Sequence, residues 1–141
     1  MKYTYPVLLT EDPDDGGYVI TCRDIPEAIT QGDTIAEALA DAADALDEAL
    51  CGRINRGRDI PAPSARQAGE RWVPVPVITA LKAAAYIKFR ASGQTKVAIA
   101  KALGLKESEV RRILDPRHGT KAATLERFIR SLGGEVLVSM S

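Results

Sequence analysis

Gln94 to Leu114 read QTKVAIAKALGLKESEVRRIL, and this segment determines how the second half of the chain folds. Two short helices that cross steeply need a small residue inside the first helix, which Ala100 supplies. Their turn needs a residue that tolerates a positive φ, which Gly104 supplies. The segment therefore predicts a helix-turn-helix, whose core would also contain five apolar residues at matching positions: Ile99, Leu103, Leu105, Val110 and Ile113.

The second helix of a helix-turn-helix enters the major groove of DNA by its N-terminal end. Arginine can bind guanine through two hydrogen bonds, and lysine or serine can reach a phosphate or a base edge. The start of the preceding helix would lie against phosphate, because free backbone amides favour an anion. The alternative is a basic helical bundle that docks on protein. We predict that the DNA-binding residues are Gln94, Thr95, Lys96, Lys106, Glu107, Ser108, Arg111 and Arg112.

Further elements are predicted on both sides of this motif. Apolar residues at helical spacing predict a helix over 78–91 and a last helix that Thr120 caps. Residues 135–140 alternate, with Val136, Val138 and Met140 on one face, which predicts a terminal β-strand. Because a lone strand needs a partner strand, we expect it to pair with its copy in a homodimer or a higher homo-oligomer.

The first half begins with strand patterns. Residues 2–10 alternate, and one face carries Tyr3, Tyr5, Val7 and Leu9. Pro6 within this strand indicates an edge position or an unpaired amide. Acidic residues, proline and glycine over 11–17 predict a hairpin turn, with a returning strand over 18–22 and a short third strand over 28–31.

One amphipathic helix follows these strands. Thr34 and Glu37 have the spacing of a capping box at its start, and Gly52 is its expected end. The stretch after Gly52 is predicted to be a loop as far as residue 70, and residues 72–77 form either a last edge strand or an extended linker. The chain therefore belongs to the α+β class, with a first domain over 1–77 and a second over 78–141.

Charge divides the chain as sharply as its patterns do. Residues 1–70 carry fourteen acidic and six basic side chains, a net charge of −8. Residues 71–141 carry thirteen basic and five acidic side chains, a net charge of +8. An acidic half suits a basic protein and a basic half suits nucleic acid, although charge can also serve solubility alone.

Composition excludes several other kinds of site. No apolar run approaches the roughly 20 residues of a membrane span, and no signal peptide is evident, so we expect a cytoplasmic protein that contacts no membrane. Cys22 and Cys51 lie far apart and, with the one histidine, His118, they cannot form a structural zinc site. His118 has no catalytic partner that the sequence identifies. We therefore predict no catalytic residue, no metal and no cofactor.

With these features together, the chain resembles the HicB family of antitoxins, in the subgroup with a C-terminal helix-turn-helix. The N-terminal signature of that family is matched by the opening strand, the acidic Gly-Gly hairpin and residues 24–38, DIPEAITQGDTIAEA. The resemblance implies that residues 1–77 form a partial ribonuclease-H-like β-β-β-α-β module. It also implies a HicA-type toxin as partner, which is a small basic protein that cleaves mRNA. The resemblance further implies that the complex of the two proteins binds its own double-stranded operator DNA and represses transcription.

The acidic half is expected to oppose the RNA-binding surface of such a toxin. The predicted toxin-binding residues lie in the hairpin turn and after the second strand: Asp12, Asp14, Asp15, Asp24 and Glu27. Three further acids on the helix, Asp41, Asp44 and Glu48, are weaker candidates for the same mimicry of phosphate charge. For any one of these residues the alternative is a solvated surface with no partner.

Two other functions stay open at this point. The chain could be a stand-alone transcriptional repressor whose first domain senses a small ligand, which would require an apolar pocket. It could also be a divalent-metal nuclease, which would require an acidic residue on the first strand. The core of that strand, residues 5–9, contains none, which argues against catalysis.

Overall fold

A computed structural model describes all 141 residues, which form two compact units, Met1–Val77 and Ile78–Ser141. The first unit contains β1 (Thr4–Glu11), β2 (Tyr18–Thr21), β3 (Thr30–Gly32), α1 (Ile35–Asn55) and β4 (Glu70–Pro74). The second contains α2 (Val77–Ser92), α3 (Lys96–Leu103), α4 (Glu107–Leu114) and α5 (Ala122–Ser131). Helix α2 starts at Val77, the last residue of the first unit. The predicted α+β class is confirmed. None of the five helices has the length and apolar character needed to cross a membrane.

In the first unit, α1 packs on one face of a four-stranded antiparallel sheet with the order β3-β2-β1-β4. The predicted inner face of β1 is confirmed, since Tyr5 and Val7 are buried and Tyr3 and Leu9 are partly buried against the same core. From α1, Leu46 is fully buried among them. Full burial of a side chain of this size contributes about 1.5–3 kcal/mol, so this small core depends on each of its members.

The edge position that Pro6 indicated for β1 is wrong, because β1 lies between β2 and β4. In an antiparallel ladder only alternate pairs exchange hydrogen bonds. The amide of Val75 donates to the carbonyl of Tyr3 at 2.9 Å, so Pro6 and its partner Trp72 form a pair that exchanges none. The nitrogen of Pro6 therefore points toward the edge of β1 that β2 pairs with. The last pair between these two strands is Leu8 with Thr21, so β2 does not reach Pro6. The structure thus supports the second prediction for Pro6, that its backbone nitrogen has no partner in the sheet.

The start of α1 confirms Thr34 as the N-cap, but the Glu37 carboxylate accepts from the residue before Thr34 and not from Thr34 as in a capping box. The end of the helix also differs from the prediction. The Thr34 hydroxyl accepts from the Glu37 amide at 3.1 Å, and the Glu37 carboxylate accepts from the Asp33 amide at 3.2 Å. The helix does not stop at Gly52 but continues to Asn55, where Ile54 is still buried. Burial of this last turn outweighs the cost of about 1 kcal/mol for an internal glycine. The third strand is also shifted and covers 30–32, because 25–29 form turns instead.

The second unit is helical, and its core contains every apolar residue that the opening segment placed there. Ile99, Val110 and Ile113 are buried, and Leu103 and Leu105 pack against them. Gly104 has a φ of 68°, the left-handed conformation that glycine adopts without strain. Its turn is closed by the Leu105 amide, which donates to the Ala100 carbonyl at 2.8 Å.

One prediction for the second unit is corrected, and a second, which concerns pairing between two copies, stays a prediction. Thr120 does not cap α5, whose N-cap residue is Lys121 with no side-chain cap, because the Thr120 hydroxyl is bonded elsewhere. Residues 134–141 form no strand in the single chain. A strand forms only where its amides and carbonyls find a neighbouring strand, and this chain provides none there. Val136 packs on the core, while Leu137, Val138 and Met140 are exposed.

Candidate protein-binding and nucleic-acid interfaces

The hairpin between β1 and β2 presents two exposed carboxylates. Asp12 is not one of them, since its carboxylate accepts from the amides of Asp14 at 3.0 Å and Asp15 at 3.2 Å and thereby holds the turn. Asp14 and Asp15 themselves are exposed. Asp14 and Asp15 are therefore available to a partner, whereas Asp12 shapes the turn that presents them.

An acidic groove lies beside this hairpin in the first unit. Its volume is about 330 Å³, and it brings together residues from the hairpin, β3 and the start of α1. The sequence prediction did not include Asp33 and Glu37 among the candidate residues, because both were assigned to the start of α1. Five of the lining residues are acidic: Asp12, Asp15, Asp33, Glu37 and Asp41.

Close packing fixes the arrangement of this acidic groove. A Cβ atom on Gly32 would lie 2.5 Å from the Ala38 amide nitrogen, and one on Gly17 would lie 2.7 Å from the Gly32 carbonyl oxygen. Both distances are too short for any side chain. The hairpin therefore approaches the end of β3, and β3 approaches the first turn of α1, only because glycine occupies these two positions.

Asp24 has an internal structural role. It is partly buried, and its carboxylate accepts from the amide of Ser64 at 2.8 Å and from the hydroxyl of the same residue. Asp24 thus anchors the loop between α1 and β4. The structure places it apart from the acidic groove, and both its oxygens are engaged.

Glu27 is also engaged within the chain. Its two carboxylate oxygens each accept from the guanidinium of Arg53 on α1 at 2.7 Å, and Arg53 also donates to the carbonyl of Asp59. The hydrogen bonds from Arg53 lower the pKa of Glu27 to about 2. This pair ties the segment before β3 to the end of α1.

A second two-point ion pair, which the sequence did not reveal, joins β2 and β4. Arg23 follows β2 and donates to the buried carboxylate of Glu70 at 2.8 and 2.9 Å, and the amide of Gln67 adds a third bond at 2.7 Å. The hydrogen bonds from Arg23 lower the pKa of Glu70. No sequence signal links these positions, because they lie 47 residues apart.

The second unit presents the predicted DNA-binding residues at the starts of two short helices. Thr95 is the N-cap residue of α3, and its hydroxyl accepts from the Ala98 amide at 3.1 Å. Gln94 and Lys96 are exposed on either side of it. The α4 helix begins after Lys106, which is exposed and caps no amide with its side chain.

On α4, the face opposite the core carries the remaining candidates. Ser108, Arg111 and Arg112 are exposed, whereas Val110 and Ile113 are buried. The Arg111 guanidinium donates to the Glu107 carboxylate at 2.6 Å across one helical turn. An exposed ion pair of this kind contributes at most about 1 kcal/mol to stability, so it can open at little cost. The guanidinium of Arg111 therefore stays accessible to a partner.

A groove of about 610 Å³ lies next to α4 in the same unit. Its apolar lining includes Leu105 and Phe128, and its polar lining includes Arg112, Lys121 and Arg127. The sequence prediction did not include Lys121 and Arg127, since nothing in the pattern indicated that α5 and the loop before it lie beside α4.

Neither unit has a cluster of three or more histidine, cysteine, aspartate or glutamate side chains that could hold a metal ion. Cys22 and Cys51 form no disulfide and are both buried, and burial raises the pKa of the Cys22 thiol. These thiols are therefore core residues of the first unit.

Comparison with known proteins identifies the family. Residues 4–84 match the model of a family described as HicB-like antitoxin of a bacterial toxin–antitoxin system. The chain is 39% identical over 136 residues to antitoxin HicB 1 of Photorhabdus laumondii, covering 96% of this chain and 86% of that protein. It is 35% identical to antitoxin HicB of Escherichia coli, covering 96% and 98%, and 32% identical to antitoxin HicB of Pseudomonas fluorescens, covering 99% and 95%.

These relatives are antitoxins, which is a non-enzymatic role, and the prediction of a chain without catalysis is thereby confirmed. Similarity extends over both units, because each of these relatives matches nearly the full chain. The chain belongs to the HicB-like family of antitoxins of bacterial toxin–antitoxin systems.

Proposed function

We propose that the first unit neutralises a HicA-type toxin, a small basic protein that cleaves mRNA, by covering its RNA-binding surface. The observation that carries this proposal is the acidic groove and the hairpin tip beside it. Residues 1–77 carry fourteen acidic and seven basic side chains, a net charge of −7. Groove and tip concentrate that charge where a basic side chain of the toxin can enter, which favours fast and specific association.

The structure divides the predicted toxin-binding acids into two groups. Asp14 and Asp15 are exposed at the hairpin tip, and Asp15 also lines the groove. Asp12, Asp24 and Glu27 accept hydrogen bonds within the chain, and we assign them the role of holding the surface in shape. We therefore add Asp33 and Asp41 to the binding residues in their place.

The test reverses charge inside and outside the groove. Asp15→Lys combined with Asp33→Lys should weaken binding to the small basic protein encoded beside this chain by about tenfold or more, because like charges would then face each other. Asp44→Lys combined with Glu48→Lys is the comparison variant, since these exposed residues of α1 were the weaker candidates in the sequence and lie outside the groove. Equal affinities of the two variants, measured by calorimetry, would exclude the groove as the binding surface.

We propose that the second unit binds double-stranded operator DNA and represses transcription of its own operon. Residues 78–141 carry twelve basic and five acidic side chains, a net charge of +7. In this proposal Gln94, Thr95 and Lys96 at the start of α3 contact phosphate. Lys106, Ser108, Arg111 and Arg112 on α4 enter the major groove, and Glu107 orients Arg111.

An assembly with two copies fits this second activity. Exposed Leu137, Val138 and Met140 in a segment without a strand partner support the proposal that residues 135–140 pair with their copy in a homodimer or larger oligomer. Two copies would bring two α4 helices to two half-sites of DNA. Light scattering on the full chain and on a variant with Val138→Lys tests this, because loss of pairing should halve the mass.

Three finer points complete the proposal. The element order β-β-β-α-β supports a partial ribonuclease-H-like module in the first unit. A cytoplasmic location follows from an mRNA-cleaving target. The alternative of a stand-alone repressor with a ligand-sensing first unit is not favoured, because half of the residues that line the groove found in that unit are acidic.

A further inference from the structure

The second unit contains a buried lysine at the end of the proposed recognition helix. Lys82 of α2 is only 1% exposed. Its ammonium donates to the carbonyl oxygens of Arg112 at 2.9 Å and Ile113 at 3.1 Å, and to the hydroxyl of Thr120 at 2.7 Å. Two of these acceptors belong to the last turn of α4, and the third belongs to the loop that follows it.

Physical chemistry explains why an ammonium fits this position. The last carbonyls of a helix have no intrahelical donor, and they carry the negative end of the helix dipole. A cation that donates to them is therefore stabilised, but removing an ammonium from water costs several kcal/mol. An apolar side chain would fill the same space without that cost. The hydrogen bonds of the charged group therefore hold the end of α4 in one defined position. Packing alone would not require a charged residue there.

The link to the DNA-binding surface is direct. Lys82 holds the backbone of Arg112, and the side chains of Arg111 and Arg112 extend from the same turn. Helix α4 has only eight residues and no side-chain cap at its start, so its position depends on the burial of Val110 and Ile113 and on the bonds from Lys82 at its end. Thr120 extends the connection, because its hydroxyl also lies 3.3 Å from the Arg112 carbonyl oxygen and 3.1 Å from the His118 ring.

We propose that Lys82 is a positioning residue for sequence recognition, which holds the C-terminal turn of α4 so that Arg111 and Arg112 meet base edges. This inference rests on the proposed DNA binding of the second unit. Lys82 is buried and therefore does not neutralise a phosphate. Its loss should reduce the preference for one sequence over another and leave the salt dependence of binding unchanged.

The experiment compares Lys82→Met with wild type on two DNA duplexes. One duplex is the promoter region upstream of the gene for this chain, and the other is a scrambled duplex of equal length and composition. Lys88→Met is the matched control, because it removes the same charge from the same helix. Circular dichroism establishes a temperature at which all proteins are folded. Thr120→Val provides a milder variant, which removes one acceptor of Lys82 and keeps the side-chain shape.

For Lys82→Met, we expect affinity for the promoter duplex to fall about tenfold, while affinity for the scrambled duplex changes by less than about twofold. The slope of log affinity against log salt should match wild type. If Lys82→Met does not fold, Thr120→Val should show the same selective loss at about threefold. A variant that keeps the wild-type preference, or loses affinity for both duplexes equally, refutes the positioning role. Wild-type protein without any preference refutes the DNA-binding proposal itself.

Discussion

Replacing Glu27 by Gln should destabilise the first unit in a pH-dependent way. Both oxygens of Glu27 accept from Arg53 at 2.7 Å, and the pKa of this carboxyl falls from an ordinary 4.5 to about 2. A shift of that size would correspond to about 3 kcal/mol for a sheltered group. Glu27 is 36% exposed, so solvent screening reduces the expected loss to about 1 kcal/mol at pH 7.

The sign of the pH dependence follows from the lowered pKa. Between about pH 4.5 and pH 2, the unfolded chain binds a proton at Glu27 and the folded chain does not, so stability falls as the pH decreases through this range. Glu27→Gln has no such proton to bind. The difference in unfolding free energy between wild type and variant should therefore shrink from its full value at pH 7 toward zero near pH 2.

Urea denaturation at pH 7 and at pH 3, followed by circular dichroism, measures this difference. Asp14→Asn is the control, because Asp14 is an exposed acid at the hairpin tip, and it should change stability by less than about 0.5 kcal/mol. Affinity for the toxin should be retained by Glu27→Gln at pH 7. An equal loss of stability at both pH values would contradict the ion-pair account of Glu27.

Three further predictions concern the fold and the DNA surface. Arg111→Ala should cost about 1–3 kcal/mol of DNA affinity and relax the preference at one base pair, whereas Lys96→Ala should weaken binding to all sequences alike. Fluorescence anisotropy titrations measure both, and equal effects of the two variants on every sequence would refute this division of roles. Gly104→Ala should destabilise the second unit by about 1–2 kcal/mol in thermal unfolding, because its φ of 68° is strained for alanine, and an unchanged melting temperature would argue against that turn. Gly32→Ala should cost about 1–3 kcal/mol and disturb the acidic groove, since a Cβ atom would collide with the backbone of α1; amide exchange at residues 34–38 would report it, and unaltered protection there would count against the close approach.

Periodicity predicted most of the elements because it depends on which residues face the core. The alternation of Tyr5 and Val7 and the register of Ile99, Val110 and Ile113 are properties of one face, and burial in the structure follows them. The N-cap at Thr34 was predictable for a similar reason, since Thr34 and Glu37 lie within one helical turn. Gly52 misled the prediction of the end of α1, because burial of Ile54 continues the helix past it.

Contacts between distant parts of the chain were beyond sequence reasoning. Acidic residues look alike in a sequence, so nothing distinguished Glu27, which Arg53 binds, from Asp15, which is exposed. The pairing of Arg23 with Glu70 and the bonds of Lys82 to α4 likewise depend on folding. The hydroxyl of Thr120 was expected to cap a helix, but it binds Lys82, which no local pattern could indicate.

The most direct test of the proposed antitoxin activity is RNA cleavage by the small basic protein encoded beside this chain. Increasing amounts of the full chain are added to that protein and an mRNA substrate, with the Asp15→Lys and Asp33→Lys double variant in parallel. Wild-type chain should abolish cleavage near equimolar ratio, and the double variant should require a large excess. Cleavage that continues at saturating wild-type chain would contradict neutralisation of this toxin.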